Sequence, residues 1–355
     1  RDNRIELRTG CRIDRIDRAG RRLSTACGDS VGYDRLVLAT GSLNRLLDLP
    51  DAPADRVHYL RTIEDAERFH SRLAGGAGRL GVIGAGFIGL EVAAAARGAG
   101  WEVTVWDAAP RVLSRALPEA LSRPVLDLHV ARGVTFRLGH PISGVGPAAE
   151  GGVIINGGEW REVYDAILIG IGVVPNTALA GEAGLDVQDG IVVDEYGTTS
   201  DPGIFAAGEV TRHPLPGGGS ARLESWQVAE LQGYCAGQSA AGTATAHHAI
   251  PWLWSDQYGI NFQFLGDLQT SGQLLHRGTA GTPGSTTFRI AGDGLIVGAM
   301  SIDAGRDISG ARRLMDRSIR PDPALLADFD SSKDGGLVCH FTFTLAKDQH
   351  HHQQT

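Results

Sequence analysis

GRLGVIGAGFIGLEVAAAARGAGWEVTVWD, residues 78 to 107, reads as a dinucleotide-binding βαβ unit. Arg79 to Gly84 is a short apolar run suited to a buried parallel strand. Gly84, Gly86 and Gly89 follow at G-x-G-x-x-G spacing. The first glycine permits a tight turn, the second a close backbone approach to a pyrophosphate, and the third close packing of helix on strand. Phe87 to Ala99 has the alanine-rich composition of a helix. Its first N–H groups, those of Phe87 and Ile88 included, would face a diphosphate. Trp101 to Asp107 returns as the second strand. Asp107 ends it, where an acid accepts hydrogen bonds from the adenosine ribose. A carboxylate there repels a 2′-phosphate and favours NADH over NADPH, while Arg111 is close enough in sequence to accommodate that phosphate.

The chain has 355 residues, room for two or three domains. A net charge of −8 without blocks of like charge argues against nucleic-acid binding. No apolar run is long enough to span a membrane, the longest being broken by Glu91. Cys11, Cys27, Cys235 and Cys339 are far apart and form no C-x-x-C pair. They point to a reducing, cytoplasmic setting and to isolated, mostly buried thiols, and away from a redox disulfide or a cysteine zinc site. His247-His248 and His350 to His352 lack metal-ligand spacing and read as loop and tail residues, so no metal site is expected.

Outward from the nucleotide unit, Ile5 to Arg8, Cys11 to Asp17 and Tyr33 to Ala39 read as strands. Thr62 to Leu73 reads as a helix capped by Thr62, with Ile63, Ala66, Phe69 and Leu73 at helical spacing. Pro118 to Ala131 predicts another helix, and Val134 to Leu138, Val153 to Ile155 and Asp165 to Ile169 predict strands. Ile191 to Asp194 and Gly203 to Ala207 predict strands before a helix near Arg222 to Ala236. After residue 248 strands dominate, at Phe262 to Leu265, Thr286 to Ile290 and Leu295 to Ile302, then a helix at Gly310 to Ile319. That change of pattern suggests a separate α+β domain.

Together these segments resemble the FAD-dependent pyridine nucleotide oxidoreductases, in particular the ferredoxin reductase components of aromatic-ring dioxygenase and cytochrome P450 systems. The resemblance rests on LVLATGS (36 to 42), VIGAGFIGLEVAA (82 to 94), PRVLSRALP (110 to 118) and GIGVVPNT (170 to 177). GIFAAGEV (203 to 210), RLESWQVAELQG (222 to 233) and PWLWSDQY (251 to 258) complete it. It implies an α/β fold in which two Rossmann-like nucleotide-binding domains interleave and a C-terminal α+β reductase domain follows. Residues 1–62 would be a first FAD-binding segment, 63–175 the NAD domain, 176–247 the second FAD segment and 248–330 the C-terminal domain, leaving 331–355 as a tail. The family's earlier G-x-G-x-x-G unit for the FAD pyrophosphate has no counterpart here, so the sequence reads as N-terminally incomplete and predicts weak FAD retention.

The implied reaction takes a hydride from NADH to FAD, then passes electrons singly to a [2Fe–2S] ferredoxin. Rubredoxin, oxygen or quinone as acceptor, or a non-catalytic NAD-binding protein, are the alternatives. Glu91 and Trp226 are the candidates for catalytic work. By resemblance Glu91 orients the nicotinamide carboxamide; otherwise it is a first-turn acid favoured by the helix dipole. Trp226 either screens the flavin edge or anchors a core. Thr40, Gly41 and Arg45 form the loop where the chain passes FAD. Glu209, where the family usually has aspartate, either accepts from the ribityl chain or caps a helix, a task Thr211 could also perform. The matching motifs add Gly208 and Ser225 to the FAD contacts and Arg115 and Gly172 to the nucleotide contacts. Arg306, Arg312, Arg313, Arg317 and Arg320, against Asp307 and Asp316, are either a docking patch for an acidic ferredoxin or a solvated surface.

Overall fold

The computed structural model describes residues 5–149, 151–215, 218–248 and 250–328; the expectations for Cys339, His350 to His352 and the tail lie outside them. The chain divides into two compact units, one of residues 1–43 and 173–251, the other of 44–172 and 252–355. The second contains the glycine turn.

Its centre is a five-stranded sheet in the order Val57–His58, Ala166–Ile169, Arg79–Ile83, Glu102–Asp107, Thr135–Leu138, every pairing parallel. Helices Ile63–Ala74, Phe87–Gly98 and Glu119–Ala131 connect these strands. One face packs Leu80, Val82, Val103 and Val105 against Phe69, Leu90 and Val125 of the helices. The other packs Ile83, Trp106, Ile167 and Ile169 against Val153, Ile155 and Tyr164. Those last residues belong to an antiparallel sheet, Ile142–Pro147, Val153–Gly157 and Trp160–Tyr164. Burial on both faces is why the parallel strands are continuously apolar. The buried indoles are satisfied: Trp101 Nε1 donates to Leu73 O at 3.0 Å and Trp106 Nε1 to Tyr164 Oη at 2.9 Å.

The helix at Ile63–Ala74 begins with a full capping box. Thr62 Oγ1 accepts from Asp65 N at 3.2 Å and Asp65 Oδ2 from Thr62 N at 3.0 Å. In the same unit, five antiparallel strands order as Trp252–Gln257, Ile260–Gly266, Ile296–Ile302, Ser285–Ile290 and Gln273–Arg277. Helices Gly305–Asp316 and Pro323–Ala327 follow. Phe262, Phe264, Met300 and Ile302 join the core of the parallel-sheet helices, so the C-terminal segment completes that core.

The first unit holds an antiparallel sheet, Ile13–Asp17, Arg22–Thr25 and Ser30–Gly32, and a parallel pair, Leu36–Leu38 with Ile204–Ala206. Ile16, Leu38, Ile191, Ile204 and Val210 form its core. The helix Trp226–Ala240 packs Ala236 on Phe205 and Ala207.

Several expectations need correction. Ile5 to Arg8 forms no strand, and Tyr33 to Ala39 shortens to Leu36–Leu38, with Val37 39% exposed. The helix expected from Arg222 starts at Trp226, because Ser225 is still extended (φ −142°). The last long helix begins at Gly305 instead of Gly310. Of the described cysteines only Cys235 is buried; Cys27 is exposed.

One buried ion pair was invisible in the sequence. Arg277, 1% exposed, donates to Asp307 Oδ1 at 3.1 Å and to the carbonyls of Leu326 (2.9 Å) and Leu325 (3.2 Å). Asp307 Oδ2 also accepts from Thr286 Oγ1 at 2.9 Å. The guanidinium ties the helix Pro323–Ala327 to the strand edge, and its removal leaves Asp307 charged and buried. Arg277→Ala is therefore expected to cost about 3–5 kcal/mol. Urea denaturation followed by tryptophan fluorescence checks this, and a loss under 1 kcal/mol contradicts it.

Candidate functional site

The three glycines of the turn have different duties. Gly84 has φ +111°, and a Cβ there would strike Gly170 O. A Cβ on Gly89 would strike Gly84 O, so strand end and helix start touch backbone to backbone. Gly86 is extended (φ −82°, ψ −176°), and a Cβ there meets nothing within 4 Å. It is the N-cap of the helix Phe87–Gly98 and has no side chain to cap it. The helix's first N–H groups have no intrahelical partner, so this end is an open cradle of donors that fits a diphosphate. Phe87 turns inward and meets Phe264 edge-on at 5.1 Å, whereas Ile88 is 46% exposed.

Asp107 does more than the sequence suggested. Its Oδ2 accepts from Ala85 N at 2.7 Å, inside the glycine turn, and its Oδ1 accepts from Ala109 N at 2.7 Å. The carboxylate holds the turn and keeps further lone pairs for a ribose. Arg111 points elsewhere: Nη2 donates to Ser114 O at 2.8 Å and Nη1 to Leu117 O. It is not placed to receive a 2′-phosphate. Arg115 is exposed, and its guanidinium lies beside Gly172, where a Cβ would come within 3.0 Å of Nη2. Gly172 takes φ +101°, and its carbonyl accepts from Arg45 N at 3.0 Å, leaving the Arg45 side chain exposed.

Glu91 is the fifth residue of its helix, in the second turn. The first turn of that helix therefore carries no acid, and a first-turn dipole interaction does not account for Glu91. Glu91 Oε1 accepts from Ser255 Oγ at 2.5 Å. Burial raises its pKa, the Ser255 hydrogen bond lowers it, and neighbouring Asp256 raises it; the net shift is upward.

In the other unit, the residues expected near FAD gather at the carboxyl ends of the two parallel strands, where open α/β sheets bind ligands. After Leu36–Leu38, Thr40 Oγ1 donates to Asn176 O at 2.7 Å and Gly41 O accepts from Asn176 N at 2.8 Å, with Gly41 at φ +63°. After Ile204–Ala206, Gly208 (φ +83°) turns the chain and Glu209 follows. Gln232, missed in the sequence, is 4% exposed and accepts from Gly208 N at 2.9 Å and Thr211 Oγ1 at 3.1 Å. It fixes the turn that presents Glu209. Thr211 opens the strand Thr211–Pro214 and caps no helix.

Ser225 and Trp226 open the helix Trp226–Ala240. Trp226 is 68% exposed, which removes the core-anchor reading. An exposed indole at a helix N-terminus suits the planar ring of FAD, and the Thr40, Gly41 and Gly208 turns are polar backbone of the kind that suits its ribityl chain, with Thr40 Oγ1 and Gly208 N engaged inside the protein.

His247 lies in a loop, as its sequence suggests, and is 6% exposed, edge-on to His213 at 4.9 Å. Burial, with His213 and His248 nearby, lowers its pKa to about 4. Trp252 and Trp254 face each other at 5.0 Å, and Arg312 lies over Trp252 at 5.3 Å. Arg306, Arg313, Arg317 and Arg320 are exposed. Asp307 is buried on Arg277 and so takes no part in that surface. Among the described residues no cluster of three or more His, Cys, Asp or Glu could hold a metal, and no helix is long and apolar enough to cross a membrane.

Comparison with known proteins agrees with this geometry. Residues 252–332 match the family described as Reductase C-terminal. The chain is 45% identical over 327 residues to the anthranilate 1,2-dioxygenase system ferredoxin–NAD(+) reductase component of Burkholderia cepacia, covering 92% of this chain and 80% of the relative. The ferredoxin reductase for the CYP199A2 system from Rhodopseudomonas palustris superposes with a TM-score of 0.88 at 34% identity, covering 94% of this chain and 83% of that one. Putidaredoxin reductase, solved in covalent complex with putidaredoxin, gives 0.84 at 32%, covering 92% and 82%. Residues 1–233 match the pyridine nucleotide-disulphide oxidoreductase model, and with the glycine turn and these relatives that places the chain in the pyridine nucleotide-disulphide oxidoreductase family.

Proposed function

We propose that this protein is an NADH:ferredoxin oxidoreductase serving an oxygenase system, with a [2Fe–2S] ferredoxin as acceptor. The observation that carries the reading is a nucleotide-oxidoreductase fold joined to a Reductase C-terminal domain, at 45% identity to a ferredoxin–NAD(+) reductase component. FAD, when bound, takes a hydride from NADH and releases the two electrons one at a time to the iron–sulfur acceptor.

The chain's residues position and shield. Residues 63–175 hold NADH: Gly86, Phe87 and Ile88 present backbone donors to the diphosphate, and Gly84 and Gly89 let strand and helix approach. Asp107 accepts from the adenosine ribose, Arg115 and Gly172 border the nucleotide, and Glu91 accepts from the nicotinamide carboxamide. Residues 1–62 and 176–247 hold FAD through Thr40, Gly41, Arg45, Gly208, Glu209 and Ser225. Trp226 covers the flavin edge. Residues 248–330 complete the core under the NADH helix and present the exposed arginines to an acidic ferredoxin. The scattered cysteines support a reducing, cytoplasmic setting.

An anaerobic titration tests the reading. One equivalent of NADH should bleach the flavin band of the FAD-loaded protein, and added ferredoxin should then be reduced in the ratio of two per NADH. Bleaching without ferredoxin reduction, followed by rapid reoxidation in air, would favour oxygen as acceptor.

NADH should bind at least tenfold more tightly than NADPH, because Asp107 faces the ribose and Arg111 is tied to Ser114 and Leu117. Asp107→Ala with Ala108→Arg should reverse the preference. It should also lower stability by about 1–3 kcal/mol, since Ala85 N loses its acceptor. Equal affinities of the unaltered protein for both nucleotides would refute the assignment. Trp226→Ala should leave Tm nearly unchanged, given the exposure of the indole, and slow ferredoxin reduction while NADH still bleaches the flavin at the normal rate. A slowed bleaching step instead would move Trp226 to the nicotinamide side.

A further inference from the structure

Glu91 ends a buried chain of hydrogen bonds that the assigned nucleotide contacts leave unexplained. Ser255 Oγ, 2.5 Å from Glu91 Oε1, is 2.9 Å from Gln257 Nε2. Gln257 Oε1 is 2.7 Å from His129 Nε2, and His129 Nδ1 is 3.1 Å from Tyr258 Oη. Ser255 and Gln257 are each 1% exposed and His129 is fully buried. The chain joins the nucleotide helix Phe87–Gly98, the helix Glu119–Ala131 and the strand Trp252–Gln257.

The amide of Gln257 fixes a direction. With its Nε2 donating to Ser255, its Oε1 must accept, so His129 carries its proton on Nε2 and accepts from Tyr258 Oη on Nδ1. Ser255, whose oxygen already accepts, gives its own proton to Glu91. Every bond then points toward Glu91. Such a chain delivers a donor to Glu91 Oε1, and that bond is stronger to a carboxylate anion than to a protonated acid. It fills Oε1 and leaves Oε2 as the oxygen able to accept from a ligand.

We propose that Ser255, Gln257 and His129 are positioning residues that hold Glu91 ionised and in one rotamer, so that Oε2 receives the carboxamide N–H of the nicotinamide. The inference rests on the reading of Glu91 as the carboxamide acceptor.

The surrounding charges fit. Burial, and then Asp256, oppose the ionisation of Glu91; the Ser255 hydrogen bond counters them in part, the net shift remaining upward. Burial lowers the pKa of His129, keeping it neutral as the chain requires. Tyr258 is pushed up to about 12 by burial, against Arg97 and Arg132, and stays a donor. The Arg132 guanidinium lies over its ring at 5.0 Å.

The test measures NAD+ affinity of the full chain by calorimetry between pH 5 and pH 8, with ADP-ribose, which lacks the carboxamide, as control. Affinity from Glu91 is present above its pKa and lost as pH falls through it. Ser255→Ala removes a donor to the anion and should raise that midpoint by about one pH unit. At pH 8 it should weaken NAD+ about 3- to 10-fold, with ADP-ribose unchanged. His129→Phe should act in the same direction, and His129→Gln, which restores an N–H donor, should recover most of the affinity. If Glu91→Gln leaves NAD+ binding unchanged, the carboxamide reading itself fails. If Glu91→Gln weakens NAD+ while Ser255→Ala and His129→Phe do not, the positioning chain alone is refuted. Equal weakening of NAD+ and ADP-ribose in Ser255→Ala would also overturn it, as a packing effect.

Discussion

At Gly84 and Gly89 the strand end and helix start are so close that neither position has room for a Cβ, and Gly84 also presses on Gly170, just past the end of the neighbouring strand Ala166–Ile169. Three backbone segments meet there without an intervening side chain. That contact sets how far the helix Phe87–Gly98 stands from the sheet, and so where its free N–H groups and Glu91 point. Asp107 adds a second tie, from the end of the next strand back to Ala85. The cradle for a diphosphate and the acid for a ribose are thus one hydrogen-bonded unit.

The C-terminal segment is part of this arrangement. Phe264 meets Phe87 in the first turn of the nucleotide helix, and Ser255 reaches Glu91 one turn later. Two contacts from adjacent antiparallel strands therefore brace the nucleotide helix. The same domain is locked by the Arg277–Asp307 pair, which is buried and in which each guanidinium nitrogen donates a hydrogen bond, so it avoids the penalty of an isolated charge.

What was legible in the sequence was local. The glycine turn, the two apolar strands that flank its helix and the Thr62 cap follow from residues within a turn or two of each other, and these appear in the structure. The helix start at Phe87 was legible, but counting from it makes Glu91 the fifth helical residue and so a second-turn acid, not a first-turn one. Tyr33 to Ala39 looked like a long buried strand, but apolar composition does not reveal how far its ladder with Ile204–Ala206 extends. The Glu91–Ser255 bond spans 164 residues and the His129–Gln257 bond 128, beyond any periodicity argument. Gln232 and Arg277 were missed for a related reason: a buried polar residue on an element resembles a surface one until its partners are known. The exposure of Trp226 likewise depends on tertiary packing and not on its own segment.

The account turns on a division of labour among the glycines, and two single substitutions separate it most directly. Gly86→Ala meets open space and should keep Tm within about 3 °C of the unaltered protein. Its added methyl should occupy the diphosphate cradle and weaken NAD+ by about tenfold, roughly 1.4 kcal/mol. Gly89→Ala forces a methyl onto Gly84 O and should lower Tm by roughly 5–10 °C. Paired calorimetry and thermal denaturation of the two variants decide the matter. Unchanged NAD+ affinity in Gly86→Ala, or equal Tm losses in both, would contradict the account.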